Sequence, residues 1–229
     1  DHPRLHVLFI PEFRRRILPH FDLLALFRLL YYIKRYQPDI VHTHTSKAGI
    51  LGRWAAKLAG VPVIVHSPRG SIYHPTYYGP RTLAFFAFLE RIAARFTHKI
   101  ITLNESEKQD YIRYGIASFE KFTTIYSGIE IRRYTQTETD VEAMKTELNL
   151  PRNRPLIGYV ARMTPEKGHS LCLDAFERVL TQIPDAILVL VGGGPLEQQV
   201  REDVARRGLQ DRVVLTGFRR DAERIYPVF

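Results

Sequence analysis

The sequence predicts an α/β protein with two parallel-sheet domains. Short apolar runs alternate with segments of helical length and periodicity along the whole chain. Runs such as PLIGYVA and AILVLVG are continuously apolar, which is typical of strands buried on both faces of a parallel sheet. A polar, charged stretch over residues 128–153 divides this alternation into two series. We therefore expect two sheets, each covered by helices on both faces.

The first series contains predicted strands at residues 4–10, 39–44, 61–66, 99–104 and 122–128. Predicted helices lie between them, at residues 22–36, 46–60, 81–96 and 105–115. Pro38 follows the first helix and Gly60 ends the second, as helix stop signals do. Asn104 and Glu107 form the capping-box pattern before the helix that stops at Gly115.

The second series repeats the pattern. Its predicted strands are residues 155–161, 186–192 and 212–218, and its predicted helices are residues 169–183 and 195–208. We accordingly place an N-terminal domain at residues 1–134, a linker with one short helix at 135–153, and a C-terminal domain at 154–229. Because the chain starts on a strand-like run and stops inside a helix-like one, we expect both domains to be incomplete.

Helical periodicity predicts which side chains face the sheets. For helix 46–60 these are Ile50, Leu51, Trp54, Ala55 and Leu58. For helix 169–183 they are Leu171, Ala175, Phe176, Val179 and Ile183.

Composition limits the classes of protein and the kinds of binding partner that fit this chain. The chain has 229 residues, 45% of them hydrophobic, which is enough for a sizeable core. Its net charge of +9 favours anionic partners such as nucleotide phosphates or an acidic membrane surface, although a solvated basic surface is the alternative. The single cysteine, Cys172, excludes an internal disulfide framework and fits a reducing, cytoplasmic compartment. The N-terminus has no signal-peptide pattern, and no apolar run reaches the ~18 residues that span a bilayer.

The stretch ARMTPEKGHS, which follows a strand and opens a helix, carries two cations. In open α/β sheets ligands bind beyond the carboxyl ends of the strands, and a helix N-terminus attracts anions. Arg162 can bind phosphate oxygens with two parallel N–H groups, and Lys167 adds a point charge. This arrangement suits a diphosphate. Two solvated charges on a surface loop are the alternative.

A second glycine-rich turn, VLVGGGPLEQQ, follows the next strand. It is not the dinucleotide-binding fingerprint, because the position of the third glycine is Glu197. The turn could still lie against a base or ribose, or be only a tight strand-to-helix turn.

Histidines and an arginine follow two neighbouring strands of the first series. His42, His44, His66 and Arg69 lie in HTHTSKAG and HSPRG. With no acidic residue or cysteine beside them, a metal site is poorly supported, and imidazoles that orient or deprotonate a sugar hydroxyl fit better. Histidines satisfied by local hydrogen bonds are the alternative. No D-x-D motif is present that would hold a divalent metal on a diphosphate, so we expect no metal.

The segment 77–99 combines aromatic and basic residues on one predicted helix. Ordinary core packing explains most of its apolar spacing, and a membrane-facing edge remains for its other aromatic residues.

The order of these motifs resembles that of the family 4, or group 1, glycosyltransferases. The motifs GYVARMTPEKGHSLCLDAF, AILVLVGGGPLEQQV and RVVLTGF resemble the C-terminal half of that family, and DIVHTHTSKAGILGRWAAKLAGVPVIVHSPRG and YSGIEIRRY resemble the N-terminal half and the crossover. The resemblance implies a GT-B fold, with two Rossmann-like domains facing a cleft. It also implies sugar transfer from a nucleotide-sugar donor, with retention of configuration and without a bound metal.

The resemblance assigns roles to particular residues. Arg162 and Lys167 match the positions that bind the donor diphosphate, and Gly193 and Gly194 match the loop beside the nucleoside. We expect His44 and Ser127 to lie on the acceptor side or to orient the substrate.

The chain also departs from the family pattern. The first strand, its glycine-rich loop and an E-x₇-E segment have no counterpart, and Arg69 stands where relatives often have histidine. We therefore expect His66 and Arg69 to be the catalytic candidates, and this chain by itself to be weakly active or inactive.

The predicted function is transfer of a sugar to a glycan or lipid-linked acceptor in surface polysaccharide synthesis. The expected partners are a nucleotide-sugar donor, that acceptor and the inner face of an anionic membrane, with no cofactor and no nucleic acid. A non-catalytic protein that binds a nucleotide or a polyanion is the alternative.

Overall fold

A computed structural model describes residues 5–14, 16–73 and 78–229. The chain divides after Gly128 into two compact units, residues 1–128 (unit 1) and 129–229 (unit 2). The predicted domain boundaries at residues 134 and 153 stay predictions.

Unit 1 contains a parallel four-stranded sheet in the order β1-β2-β3-β4. Its elements are α1 (Pro19–Tyr36), β1 (Ile40–His44), α2 (Ser46–Ala59), β2 (Val63–Ser67), α3 (Pro80–Arg95), β3 (Lys99–Thr102), α4 (Glu105–Arg113) and β4 (Phe122–Thr124). Strand β2 pairs with β1 from Val63 to Ser67, so the turns after both strands emerge at the same edge of the sheet.

Unit 2 contains a parallel three-stranded sheet in the order β5-β6-β7. Its elements are α5 (Ile131–Thr135), α6 (Val141–Glu147), β5 (Leu156–Val160), α7 (His169–Leu180), β6 (Ile187–Val191), α8 (Glu197–Arg206), β7 (Val213–Gly217) and α9 (Ala222–Ile225). Every residue of β6 is buried, as expected for a central strand covered on both faces. The parallel sheets confirm the predicted α/β class.

Two elements differ from the sequence-based expectations. The strand expected at residues 4–10 does not form over 5–10, where Val7 and Phe9 are exposed. A strand needs a hydrogen-bonding neighbour, and none of the described strands pairs with this segment. Helix α5 (Ile131–Thr135) was not expected, and it ends where the predicted linker of residues 135–153 begins.

Helix α2 packs on a different face from the predicted one. Ala55 is buried as expected, but Ile50, Leu51 and Trp54 are only half-buried and Leu58 is exposed. The buried face instead consists of Gly49, Gly52, Arg53, Ala55 and Ala56. An added Cβ at Gly49 would lie 2.3 Å from the imidazole Cε1 of His66, so the glycine allows the helix to approach β2 closely.

Helix α7 is also rotated relative to the expectation. Phe176 is buried, but Leu171 is 72% exposed and Ile183 is exposed. The buried residues of the helix are His169, Leu173 and Phe176, which are spaced i, i+4 and i+7 and share one face, whereas Leu171 lies on the opposite face.

Candidate functional site

In unit 2, the two loops that were predicted to bind a nucleotide lie side by side. Beyond the last paired residues of β5 and β6, the backbone N–H of Met163 donates to the carbonyl of Gly193 over 3.0 Å. The N–H of Leu196 returns a bond to the carbonyl of Met163 over 3.1 Å. The loop with Arg162 and Lys167 and the loop with Gly193 and Gly194 therefore form one continuous surface at the carboxyl edge of the sheet.

Close backbone approach explains the glycines of the second loop. Gly192 and Gly194 have φ angles of 141° and 157°, values that L-residues with a Cβ rarely adopt. A Cβ at Gly192 would lie 2.0 Å from the carbonyl oxygen of Ala161, and one at Gly194 would lie 2.5 Å from that of Met163. The glycines thus allow main chain to pack on main chain. This accounts for them structurally, and their contact with a nucleoside stays a prediction.

The two predicted phosphate-binding cations are accessible. The Arg162 side chain is 72% exposed, and its ion pair with Glu166 is long, at 3.9 Å. Lys167 ends a 3₁₀ turn, Pro165–Lys167, and is exposed. The next residue, Gly168, adopts the left-handed conformation (φ 63°) and is the N-cap of α7, where no side chain caps the free N–H groups. Two cations thus accompany an uncapped helix N-terminus, which is the arrangement predicted for a diphosphate.

His169 lies behind this surface and was not singled out from the sequence. It is 4% exposed, and neither of its ring nitrogens has a hydrogen-bond partner among the described residues. Burial lowers the pKa of its imidazole, and its ring lies edge-on to Tyr159, whose hydroxyl donates to the carbonyl of Lys167. The pair supports the turn that presents Lys167.

In unit 1, Arg69 and His44 meet at the carboxyl edge of the sheet. The guanidinium Nε of Arg69 donates to Nδ1 of His44 over 3.3 Å, and both residues are exposed. The ring of His42 lies 4.2 Å from that of His44, centroid to centroid, and its Nε2 lies 2.8 Å from Ser67 Oγ. Burial, together with the nearby His44 and Arg69, lowers the pKa of His42.

His66 occupies a different place from the one its predicted catalytic role requires. It has no exposed surface, its Nδ1 lies 3.0 Å from Thr43 Oγ1, and its ring packs against Gly49. Burial is the main cause that lowers its pKa to about 2, and the nearby Arg53 contributes. A neutral, enclosed imidazole cannot reach a substrate without rearrangement, so its placement favours a structural role.

Ser127 lies in an exposed segment three residues beyond the end of β4. The structure records no contact that would bring it to His44 or Arg69 among the residues described, and its acceptor-side role stays a prediction.

The side chain of Glu107 makes contacts that the sequence did not predict. The capping pattern is confirmed in part, because the N–H of Glu107 donates to Asn104 Oδ1 over 2.7 Å. The carboxylate of Glu107 does not return to Asn104, however. It accepts the N–H groups of Leu103 and Gly70, each over 2.6 Å. The second of these bonds holds the turn that carries Arg69.

A cavity of about 720 Å³ adjoins the turn after β1 in unit 1. Its polar wall includes Thr45, Ser46 and Glu90, and its apolar wall includes Ile50, Leu51, Phe85, Phe86 and Leu89. The cavity lies next to the turn that begins at His44.

The part of the chain that the structure describes contains neither a metal-ligand cluster nor a membrane-spanning helix. Within residues 5–14, 16–73 and 78–229, no three His, Cys, Asp or Glu residues are grouped as metal ligands would be. Over the same residues, no helix is both long enough and apolar enough to cross a membrane.

Comparison with models of known protein families shows which family the chain belongs to. The family model described as Glycosyltransferase Family 4 matches residues 1–133, and the one described as Glycosyl transferases group 1 matches residues 140–227. The chain belongs to glycosyltransferase family 4.

Curated relatives of this family-4 chain support the assignment. It is 31% identical, over 224 residues, to the UDP-Gal:alpha-D-GlcNAc-diphosphoundecaprenol alpha-1,3-galactosyltransferase of Escherichia coli, covering 96% of this chain and 58% of that enzyme. It is 25% identical to the capsular polysaccharide biosynthesis glycosyltransferase CapM of Staphylococcus aureus, covering 88% of this chain and 52% of the relative. The chain thus spans about half the length of the curated relatives it matches.

Solved structures show the same fold. The crystal structure of Anabaena Alr3699/HepE in complex with UDP-glucose superposes with a TM-score of 0.74 at 23% identity, covering 92% of this chain and 56% of that protein. At this identity the similarity demonstrates the fold, and the GT-B architecture expected from the sequence is confirmed.

Proposed function

We propose that this family-4 protein transfers a sugar from a nucleotide-diphosphate donor to a glycan or lipid-linked acceptor, with retention of configuration. The main observation in support of this proposal is the surface of unit 2, where the exposed Arg162 and Lys167 accompany the uncapped N-terminus of α7. The relatives named above, which act on a diphosphoundecaprenol-linked sugar and in capsule synthesis, support the class of acceptor.

The proposed role of the two cations follows from where charge develops. As the bond between the sugar C1 and the diphosphate oxygen breaks, negative charge grows on the departing nucleoside diphosphate. Cations and helix N–H groups already in place stabilise that charge most strongly in the transition state. Arg162 can donate two parallel N–H groups to phosphate oxygens, and Lys167 is a mobile point charge. We therefore assign the diphosphate to these side chains rather than to a metal ion.

On the acceptor side, the geometry favours orientation by His44 rather than proton removal. Because Nδ1 of His44 accepts the Nε–H of Arg69, a neutral His44 carries its proton on Nε2. That N–H can donate a hydrogen bond to an acceptor oxygen but cannot take a proton from it. Arg69 supplies the positive charge beside it. The neighbouring apolar cavity would bind an apolar part of the acceptor.

Calorimetric titration with UDP tests the donor site, since UDP is the nucleotide part of the UDP-glucose in the HepE complex. Replacing both Arg162 and Lys167 with alanine should weaken UDP binding by at least about 100-fold, because hydrogen bonds to charged groups contribute ~1.5–3 kcal/mol each. Arg178→Ala removes one charge from the exposed surface of the same helix and should leave the affinity unchanged. Equal UDP affinity of the double variant and the unsubstituted protein would contradict the assignment.

A second function, nucleotide binding without transfer, is favoured by two observations. His66 is enclosed in the core, and the family resemblance implies a histidine at the position of Arg69. This alternative predicts tight binding of UDP together with no release of UDP from a UDP-sugar in the presence of acceptor. The same titration followed by a turnover assay distinguishes the two functions.

A further inference from the structure

One buried carboxylate joins two strand-end turns of unit 1. Glu107 lies in the first turn of α4 and is 3% exposed. Its Oε1 accepts the N–H of Gly70, which follows β2, and its Oε2 accepts the N–H of Leu103, which follows β3, each over 2.6 Å. Its own N–H is held by Asn104 Oδ1. Both oxygens are therefore committed to the backbone, and the helix fixes the carboxylate from its other side.

The turn after β2 has a conformation that needs such support. Arg69 has a φ angle of 63° and Gly70 one of 128°, so two consecutive residues lie in the left-handed region. For a residue with a Cβ this conformation is unfavourable, because the Cβ comes too close to the following carbonyl oxygen. Residues in such conformations persist when the surrounding structure determines them, and they occur often at functional sites. The Gly70 N–H bond is the contact that attaches this turn to α4.

A carboxylate is suited to this task. It accepts at both oxygens, whereas an amide of the same shape has one accepting oxygen and one donating NH₂ group. Hydrogen bonds from an N–H to a charged acceptor are shorter and roughly twice as strong as neutral ones, in agreement with the 2.6 Å distances. Glutamine at this position would set its NH₂ against one of the two backbone N–H groups and release either Gly70 or Leu103.

We propose that Glu107 is a positioning residue for glycosyl transfer, which acts by holding Arg69 beside His44. The substrate does not contact Glu107. The carboxylate fixes the Gly70 N–H, the turn fixes the Arg69 backbone, and the guanidinium in turn fixes the His44 tautomer through the bond to Nδ1. The effect on transfer rests on the function proposed above, whereas the effect on the turn does not.

Amide hydrogen exchange tests the structural part without any substrate. In Glu107→Gln, exchange at Gly70 or Leu103 should be at least about tenfold faster, reflecting the loss of one charge-assisted bond. Glu105→Gln is the matched control, because Glu105 is in the same helical turn but is exposed and forms only a 3.7 Å ion pair with Lys108. It should leave both amides as protected as before. Unchanged protection of Gly70 and Leu103 in Glu107→Gln would overturn the proposal.

A double-mutant cycle tests whether Glu107 acts through Arg69. In the full-length polypeptide, Glu107→Gln should lower kcat about tenfold while leaving the affinity for UDP within about twofold, because the donor cations lie in unit 2. In an Arg69→Ala background the same substitution should have no further effect on kcat. An equal loss in both backgrounds would show a general structural role and overturn the positioning role. If the unsubstituted protein shows no transfer, the proposed function fails, and exchange at Gly70 still decides the claim about the turn.

Discussion

At the scale of single residues, environment rather than residue type decides what each candidate can do. His44 is the last residue of β1 and His66 is the fourth residue of the neighbouring β2, and both were predicted to act on the substrate. The structure exposes the first beside Arg69 and encloses the second between Thr43 and Gly49. An exposed imidazole can orient a ligand, whereas an enclosed neutral one mainly fills space and accepts or donates one internal bond.

The burial of His66 predicts a pH dependence of stability. Its pKa falls from an ordinary 6.5 to about 2 on folding, so below pH 6.5 the unfolded chain binds a proton that the folded chain does not. Stability should therefore decrease as the pH falls from 6.5 towards 2, by up to about 1.4 kcal/mol per pH unit. Urea unfolding of the protein and of His66→Gln between pH 7 and 5.5 gives the slope of the unfolding free energy against pH for each. The unsubstituted protein should have the steeper slope. This range lies above the titration of ordinary carboxylates. The prediction fails if both proteins have the same slope.

The donor-site residues could be predicted because each lies in a short sequence motif. The role of Glu107 could not be predicted, because it depends on a contact with a distant part of the chain. Arg162, Lys167, Gly193 and Gly194 lie within two short motifs, and the structure brings both motifs together. Glu107 accepts a bond from Gly70, 37 positions earlier in the chain. Its capping pattern indicated a helix start, but no local pattern could show that the carboxylate would turn towards another strand.

At the scale of secondary-structure elements, periodicity predicted which segments form helices better than which faces they bury. Helix α2 buries Arg53, without any exposed surface, where its apolar residues were expected. The guanidinium donates to the carbonyl of Gly49 over 2.9 Å and to Glu90 of α3 over 2.7 Å. A buried charge is acceptable only with its partner, and that partner lies 37 residues away on another helix. The sequence pattern of α2 alone could not indicate this.

The ion pair between Arg53 and Glu90 predicts an asymmetry between single and double substitutions. Arg53→Met should destabilise unit 1 by ~3–5 kcal/mol, because Glu90 is then left buried and unpaired. Replacing both residues, with methionine and leucine, should cost much less. Burial raises the pKa of Glu90 and Arg53 opposes that rise, so loss of Arg53 should raise the pKa further.

Urea unfolding at two pH values checks both parts of this prediction. A carboxyl group with a raised folded-state pKa contributes stability that is complete below its unfolded value of 4.5 and is lost as the pH rises through the folded value. The Arg53→Met variant should therefore be closer in stability to the unsubstituted protein at pH 4 than at pH 7. A double variant as unstable as the single one would contradict the account of the pair.

At the scale of the whole molecule, the net positive charge is confined to one unit. Residues 1–128 contain 18 Lys and Arg against 9 Asp and Glu, whereas residues 129–229 contain 15 of each. The entire net charge of +9 thus belongs to unit 1. The total charge predicted an anionic partner, and the proposed diphosphate site in unit 2 does not account for the excess. The distribution favours a separate anionic contact of unit 1.

The aromatic residues of α3 are a second feature of unit 1 that favours contact with a membrane. Leu83 and Ala87 of α3 pack in the core, whereas Phe85 and Phe88 are more than half exposed. Basic residues combined with exposed aromatic side chains are the features of interfacial binding, in which apolar burial adds to attraction by anionic lipid. We therefore predict peripheral binding to anionic bilayers.

Flotation with lipid vesicles tests this contact. The protein should float with vesicles that contain phosphatidylglycerol, much less with pure phosphatidylcholine, and progressively less as salt is raised, because screening weakens attraction between surface charges. Replacing Phe85 and Phe88 with serine should reduce flotation severalfold, since each side chain would otherwise bury apolar surface in the bilayer. Leu171→Ser is the matched control, because Leu171 is 72% exposed but lies in the electrically neutral unit 2. Equal flotation of the control and the phenylalanine variant would show that the aromatic residues of α3 do not face the bilayer.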